Sequence, residues 1–474
     1  MITIPNRPDI QSLVDDLRST LASTVLTPDS LGHAESIVRW SETIPNNAAA
    51  VVNAISAADV ATTVVGCRKY GIPFAVASGR HTTSDASSCE GGLIIDLRLM
   101  RAVSIDPDAR TITAAGGCLW RDVDEAAARH GLATVGGTVN DTGVGGLTLG
   151  GGYGWLAGRH GLVIDNLLSV EMVLADGSLV TASEESLPDL FWAVRGAGQE
   201  FGVAVEFTLQ AHEQRNAVWT GEIVLAFDKV DLVFNFANDL VETTNGDSAM
   251  MVNLSTSPLT NGELMIKMAV FHNGDARSAR RVFQPLLDAD PLLVSVAERP
   301  YAELNGMMNP SFGDRKRAVD KGAAYTIPLR PAFVKEVLAS ELWRLRSLVP
   351  ESDETKLLFE FYSTDKWCQV PVMATAHGHR GDFQNMVIAP RWKYAEHDDI
   401  VEQWALDVAA LVVMEREENG TPSEGPITEY GNYDHLSAHP RGVYGVNLDR
   451  LIELKKVYDP DNVFNKWYPL LDEE

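Results

Sequence analysis

Nine of the nineteen residues in the stretch 136–154, Gly-Gly-Thr-Val-Asn-Asp-Thr-Gly-Val-Gly-Gly-Leu-Thr-Leu-Gly-Gly-Gly-Tyr-Gly, are glycine, and hydroxyl or carboxylate side chains stand at Thr138, Asp141, Thr142 and Thr148. Flexible linkers mix glycine with serine and charge. Here the glycines alternate with Val144, Leu147 and Leu149, so the strip can pack on its apolar side while bare backbone N–H groups face a ligand. A phosphate loop ending Gly-Lys-Ser/Thr is absent, and no strand-Gly-x-Gly-x-x-Gly-helix unit with an acidic residue about twenty positions on can be drawn. Two readings stay open on these residues alone: an extended, glycine-lined wall against a large polyanionic or planar ligand, or a cluster of turns in an all-β region. A second ligand-competent loop, Ser78-Gly-Arg-His-Thr-Thr-Ser-Asp85, follows the apolar run 73–77. His377-x-His379 lacks a convincing third ligand, so no metal is expected.

The elements that must hold these loops are legible from periodicity. Residues 8–22 read as an amphipathic helix, residue 50 onward as a first strand, 57–70 as a helix, and 73–77 and 92–97 as buried strands, a β-α-β arrangement. Residues 103–113 form a hairpin turning at Pro107-Asp108, 120–130 a helix, 170–180 a hairpin at Asp176-Gly177, 187–194 a short helix and 202–209 a strand. From about Val218 the texture changes to longer strands (218–227, 263–271) among helices at 229–243, 275–287, 331–345 and 398–415. That pattern predicts helices covering one face of a sheet. Near Gly425 the polar, Pro- and Gly-bearing texture returns, and a last helix at 447–457 stops at Asp459-Pro460.

Composition narrows the function classes. A chain of 474 residues exceeds one ordinary core. With 39 basic against 65 acidic residues and a formal charge of −26, neither nucleic acid nor an anionic membrane is an expected partner. Four cysteines at unrelated spacings indicate neither a zinc site nor a disulfide framework. Residues 1–8 carry no basic-then-apolar signal pattern and no run approaches eighteen apolar residues, which predicts a soluble, cytoplasmic protein.

Three motifs occur in order: Ser-Gly-Arg-His81 with Gly91-Gly-Leu-Ile-Ile-Asp96, the glycine strip, and Asn432-Tyr433 with Tyr444-Gly-Val-Asn447 and Asp459-Pro-Asp-Asn-Val-Phe464. On them the whole chain resembles the berberine-bridge-enzyme-like, 6-hydroxynicotine-oxidase-like FAD-linked oxidases of the vanillyl-alcohol-oxidase superfamily. The resemblance implies an α+β fold: a bipartite PCMH-type FAD-binding domain (residues 1–215 and 425–474) with an inserted substrate domain (216–424) on an antiparallel sheet covered by helices. It implies FAD as cofactor, with His81 bonded to the flavin 8α-methyl group and the loop Ser78, Gly79, Arg80, Thr82, Thr83 and Ser84 wrapping the pyrophosphate. Many relatives make a second bond through cysteine, but Val139 stands there, so a single link is expected. Gly137, Thr138, Asp141, Thr142, Gly145, Gly146, Thr148, Gly151 and Tyr444 would line the cofactor; Gly202 and Val203 would meet the adenine, and Asn447 the isoalloxazine ring. Arg80 and Asp85 replace glycines of the usual pattern, and Leu147 stands where several relatives place histidine.

Tyr433 matches a tyrosine that serves as general base in several relatives. A phenol with a pKa of about 10 is a poor base at neutral pH, so that role needs a neighbour that lowers it. Tyr362, Trp367, His377 and His379 belong to the inserted domain, with core or surface placement expected. The activity implied is hydride removal from a carbon next to oxygen or nitrogen of a small organic molecule, a secondary metabolite, with O2 taking the electrons and H2O2 formed. A dehydrogenase with another acceptor, or a non-redox cyclase or binding protein on the same scaffold, are the alternatives. Thr142, close to isosteric with the valine that accompanies oxidases in this family, favours the oxidase.

Overall fold

A computed structural model describes residues 9–471, apart from residues 46, 257–259, 310–316, 422–424, 434, 435, 437 and 438. The N-terminal residues 1–8, on which the absence of a signal pattern was read, lie outside the described residues.

The chain opens with the helix Ile10–Thr20, capped by Asp9, whose carboxylate accepts the Ser12 N–H. Its Leu13, Val14 and Leu17 are buried at the spacing of one helical face. The helix Ala57–Tyr70 starts at the Ser56 cap and ends at Gly71, where φ is 64°. It joins Ala50–Asn53 to Phe74–Ala77, and both pair in parallel with Leu93–Asp96 between them. Thr24–Leu26 closes this four-stranded sheet as an antiparallel edge. The expected β-α-β unit is present, and the Ser78–Asp85 loop leaves from the carboxyl end of one of its strands. A second, five-stranded antiparallel sheet carries the two expected hairpins, Val103–Asp106 with Thr111–Ala115 and Leu167–Val173 with Leu179–Ser183, and Val203–Gln210 in the middle.

The inserted part is a seven-stranded antiparallel sheet in the order Leu293–Pro300, Ala217–Ala226, Leu264–His272, Ser248–Thr256, Lys356–Phe361, Gln384–Ala389, Lys321–Tyr325. Strand alternation divides its side chains between two cores. Met250, Val252, Leu254, Ile266, Met268, Leu357 and Phe359 pack with the helices Val230–Thr243, Ala276–Leu287 and Asp398–Asn419. Their neighbours Ala249, Met251, Ala269 and Phe271 join the core of the five-stranded sheet instead. One face therefore meets helices and the other meets the loops singled out above.

The C-terminal helix Leu448–Tyr458 returns to the N-terminal part. Its Lys455 ammonium, fully buried, donates to the Glu200 carbonyl at 2.6 Å and to the Asp459 carboxylate at 2.8 Å. The Glu200 carboxylate accepts the N–H groups of Trp467 and Tyr468. A buried charge is tolerated only with such partners, so this helix and the segment that follows it to Tyr468 are pinned to the N-terminal part. The chain is thus α+β, with the N-terminal sheets and the returning C-terminal helix on one side and a seven-stranded antiparallel sheet inserted between them in sequence. No helix among the described residues is long and apolar enough to cross a membrane.

Candidate functional site

The two loops found sixty residues apart in sequence touch in space. A Cβ on Gly79 would lie 2.1 Å from the Gly143 nitrogen, so only glycine lets the backbones approach this closely. Ser78 Oγ ties the loop to the Gly116 carbonyl at 2.9 Å. Arg80 sits at φ 60°, the left-handed conformation for which glycine is ordinarily chosen, at an expense of about 1 kcal/mol. Burial and the nearby Arg98 pull its guanidinium below its ordinary pKa. His81 stacks on Trp40 with ring centroids 4.7 Å apart, and its Nε2 lies 3.0 Å from Asp141 Oδ1 on the glycine strip. Thr82 and Ser84 bond each other, Thr83 Oγ1 accepts the Asp320 N–H from the inserted sheet, and Asp85 is exposed.

The strip is not extended throughout. Val144–Leu149 forms a short helix, because consecutive small residues let it nest beside Gly116 and the Ser78 hydroxyl. Gly137, Gly145 and Gly143 are buried, whereas Thr138 through Thr142 form a half-open lip and Gly146 is exposed, with nothing within 4 Å of where a Cβ would stand. Gly151, at φ 115°, lies against the His377 ring, and Thr148 is fully buried. Gly202 and Val203 are buried beside Val173. Tyr444 is fully enclosed, and burial raises its phenol far above 10. Asn447 donates to the carbonyls of Val372 and Thr375 at 3.0 and 3.1 Å.

The residues fit an FAD. Asn140 Oδ1, Thr148 Oγ1, Gln199 Oε1 and Asn447 Oδ1 are buried without a hydrogen-bond partner around the strip. Unpaired buried polar atoms are costly, and a polar polycyclic cofactor supplies partners for them. Asn140 and Gln199 were not singled out in the sequence; an amide within or beside a glycine cluster is too common to signal itself.

Above the strip, the inward sheet face presents a carboxyl group that sequence reasoning missed. Glu360 is 1% exposed, and its carboxylate accepts hydrogen bonds from Tyr153 and, at 3.2 Å, from Tyr433. Burial pushes it up to about 7 against the ordinary 4.5, with the two phenols holding it down. Tyr433 is raised well above 10, first by burial and then by the Glu360 charge, and the hydrogen bond with Tyr153, which lowers it, does not offset this. Tyr430 packs edge-on against Tyr433 at 4.9 Å and Tyr153 against Tyr362 at 5.8 Å, enclosing the carboxyl in an aromatic cage. Asn385 Nδ2 donates to the Tyr153 oxygen at 3.0 Å, and Asn385 Oδ1 lies 2.8 Å from His379 Nε2. The one legible signal was a lone carboxylate in the apolar strand Lys-Leu-Leu-Phe-Glu-Phe. His377 and His379 are buried and held neutral by burial, and Trp367 donates to the Gly381 carbonyl. Among the described residues no group of three or more His, Cys, Asp or Glu is placed to hold a metal.

Comparison with known proteins gives consistent matches. The FAD binding domain family matches residues 48–183, and the berberine and berberine-like family matches residues 429–466. The chain is 34% identical over 484 aligned residues to the FAD-linked oxidoreductase pgmH of Aspergillus terreus, covering 97% of this chain and 96% of that one. It is 30% identical to the FAD-linked oxidoreductase hasG of Aspergillus fumigatus, over 94% and 96% of the two chains. Among solved structures, 6-hydroxy-D-nicotine oxidase from Arthrobacter nicotinovorans superposes with a TM-score of 0.82 at 26% identity, over 96% of this chain and 99% of that one. Berberine bridge enzyme from Eschscholzia californica, at 20% identity, shares the fold with a TM-score of 0.82 over 98% and 100% of the chains.

Proposed function

The chain belongs to the berberine-bridge-like FAD-linked oxidoreductases, and on that premise we propose that it is an oxidase for a small organic substrate bearing a C–H next to a hydroxyl or amine, with Glu360 as the proton acceptor. FAD, when bound, supplies a two-electron acceptor that takes hydride from that carbon and yields the electrons to O2, giving H2O2. The observation that carries the assignment is the Glu360 carboxyl, held at about 7 and hydrogen-bonded to Tyr433 on the sheet face that covers the flavin loops. A base near the working pH accepts protons well in its charged form and gives them up again.

As the C–H bond breaks, the O–H or N–H proton of the substrate must leave to form C=O or C=N. Tyr433, whose phenol does not ionise at neutral pH, passes that proton on: it receives it at its oxygen while donating its own to Glu360. Tyr153 and Asn385 hold the carboxylate in place for this exchange. The aromatic cage excludes water, which strengthens each of these bonds.

His81 is assigned the single covalent bond to the flavin. Asp141 favours the tautomer with the proton on Nε2, leaving the lone pair on Nδ1 as the bonding nitrogen. The side chain at the usual second attachment point is Val139, and the Cys118 thiol points to the Ala102 carbonyl. We assign the cofactor to residues 1–215 and 425–474 and the substrate pocket to the face of 216–424. The substrate class we assign is a small organic molecule, a secondary metabolite.

The test needs no knowledge of the substrate. Dithionite-reduced protein mixed with air-saturated buffer reoxidises rapidly if it is an oxidase, and slow reoxidation sinks that reading in favour of a dehydrogenase or a binding scaffold. Anaerobic mixing with alcohols, amines and sugars then identifies which class bleaches the flavin.

A further inference from the structure

The inward face of the seven-stranded sheet is graded in polarity. Register places Glu360 opposite Met251, which in turn faces Ala269. Two residues along, Leu358 lies opposite Asn253, and Asn253 opposite Lys267. Two further along the same strand stands Lys356. Side chains on one face recur every second residue at about 3.3 Å per residue, so Lys267 lies about 7 Å and Lys356 about 13 Å along the strands from the Glu360 row. The row between the Glu360 row and Lys356 carries Leu358 and Val387 beside Asn253 and Lys267.

Three cations gather at that outer end in a chain whose net charge is −26. Lys267 is paired with Glu222 at 2.6 Å, and Arg391 with Asp320 at 3.1 Å. Asp320 in turn donates its N–H to Thr83 of the His81 loop, so this end of the sheet stands beside that loop. Lys356 makes no hydrogen bond or ion pair among the described residues. Its tip is open to solvent, yet the density of protein around it and the charges of Arg391 and Lys267 hold its ammonium below its ordinary pKa, and the carboxylates of Glu354 and Asp320 do not offset this. Beside it, Asn253 Oδ1 is buried without a partner.

We propose that the substrate is an elongated organic acid whose carboxylate, or an equivalent anion, binds Lys356 at the outer end of this sheet face while its oxidisable end reaches Glu360. This rests on the reading of Glu360 as the base at the reacting end. An anion at Lys356 neutralises the cation of the cluster that has no ion pair among the described residues, and Leu358 and Val387 in the row between hold the apolar part of the molecule. The same contact rejects neutral analogues, because they leave the ammonium crowded by like charges.

The experiment is a titration of the oxidised holoenzyme, followed by flavin difference absorbance, with 2-naphthoate and 4-biphenylcarboxylate and with their neutral amides. Wild type is expected to bind the carboxylates about tenfold more tightly than the amides, with the gap narrowing in high salt. Lys356→Met should abolish the gap and Lys356→Arg should keep it. Equal binding of acid and amide, no perturbation by either acid, or a gap that survives Lys356→Met overturns the proposal. Reoxidation of the reduced protein is scored separately. Fast reoxidation without acid preference removes only the charge assignment, whereas acid preference with slow reoxidation removes only the oxidase reading.

Discussion

Replacing Glu360 by glutamine tests the base and the burial argument together. The folded protein holds this carboxyl at about 7 against 4.5, and at about 1.4 kcal/mol per pH unit the difference amounts to about 3 kcal/mol. The sign follows from the raised value. The folded state binds the proton more tightly, so this contribution is fully present below about pH 4.5 and is lost as the pH rises through about 7. Glutamine, which does not titrate, mimics the protonated carboxyl. Glu360→Gln should match wild type within about 1 kcal/mol at pH 5 and be more stable by about 2 to 3 kcal/mol at pH 9. Glu200 and Asp124, both pushed up to about 7 by burial, titrate alike in the two proteins and cancel in the difference. Denaturant midpoints of the holoenzymes at pH 5, 7 and 9 read the effect. Once a substrate is found, anaerobic flavin reduction by wild type should rise with pH through about 7, and the variant should be slower by about a hundredfold or more. Its reoxidation by air should not change. A variant less stable than wild type at pH 9, or one that reduces its flavin at the wild-type rate, refutes the assignment.

Tyr433→Phe should slow anaerobic reduction by about tenfold to a hundredfold, less than the Glu360 variant, because the space left by the phenolic oxygen lets the substrate hydroxyl or amine approach Glu360 directly; a larger loss than in Glu360→Gln would make the phenol the base. Acid-precipitated wild-type protein should stay yellow and a tryptic peptide containing His81 should carry the flavin mass, while His81→Ala should give a colourless precipitate; a colourless wild-type pellet removes the covalent bond. Thr142 sits on the half-open lip with its carbonyl accepting the Trp120 N–H, so its side chain can be enlarged without breaking that bond. Stopped-flow reoxidation should be much slower in Thr142→Leu than in wild type, and equal rates would place the oxygen path elsewhere.

Local pattern alone carried much of this protein. The helices at Ile10–Thr20, Ala57–Tyr70 and Val230–Thr243, the two hairpins and the change of texture near Val218 were legible because periodicity, caps and turn residues are short-range signals. So was the anomaly of Arg80, since a residue standing where a motif carries glycine must accept glycine's backbone angle, here 60°. Tertiary structure decided what those signals could not. The Gly79–Gly143 approach and the His81–Asp141 pair join residues about sixty positions apart, and no periodicity encodes which loops meet. The short helix inside the glycine strip runs against local propensity and is set by packing. Glu360 looked like one carboxylate among many, and Tyr433 like a base awaiting a cation. Burial in a shared aromatic cage is the largest cause raising both groups, and under the proposed function it moves the part of base from the phenol to the carboxyl, because the energy of a charge depends on everything folded around it rather than on its neighbours along the chain.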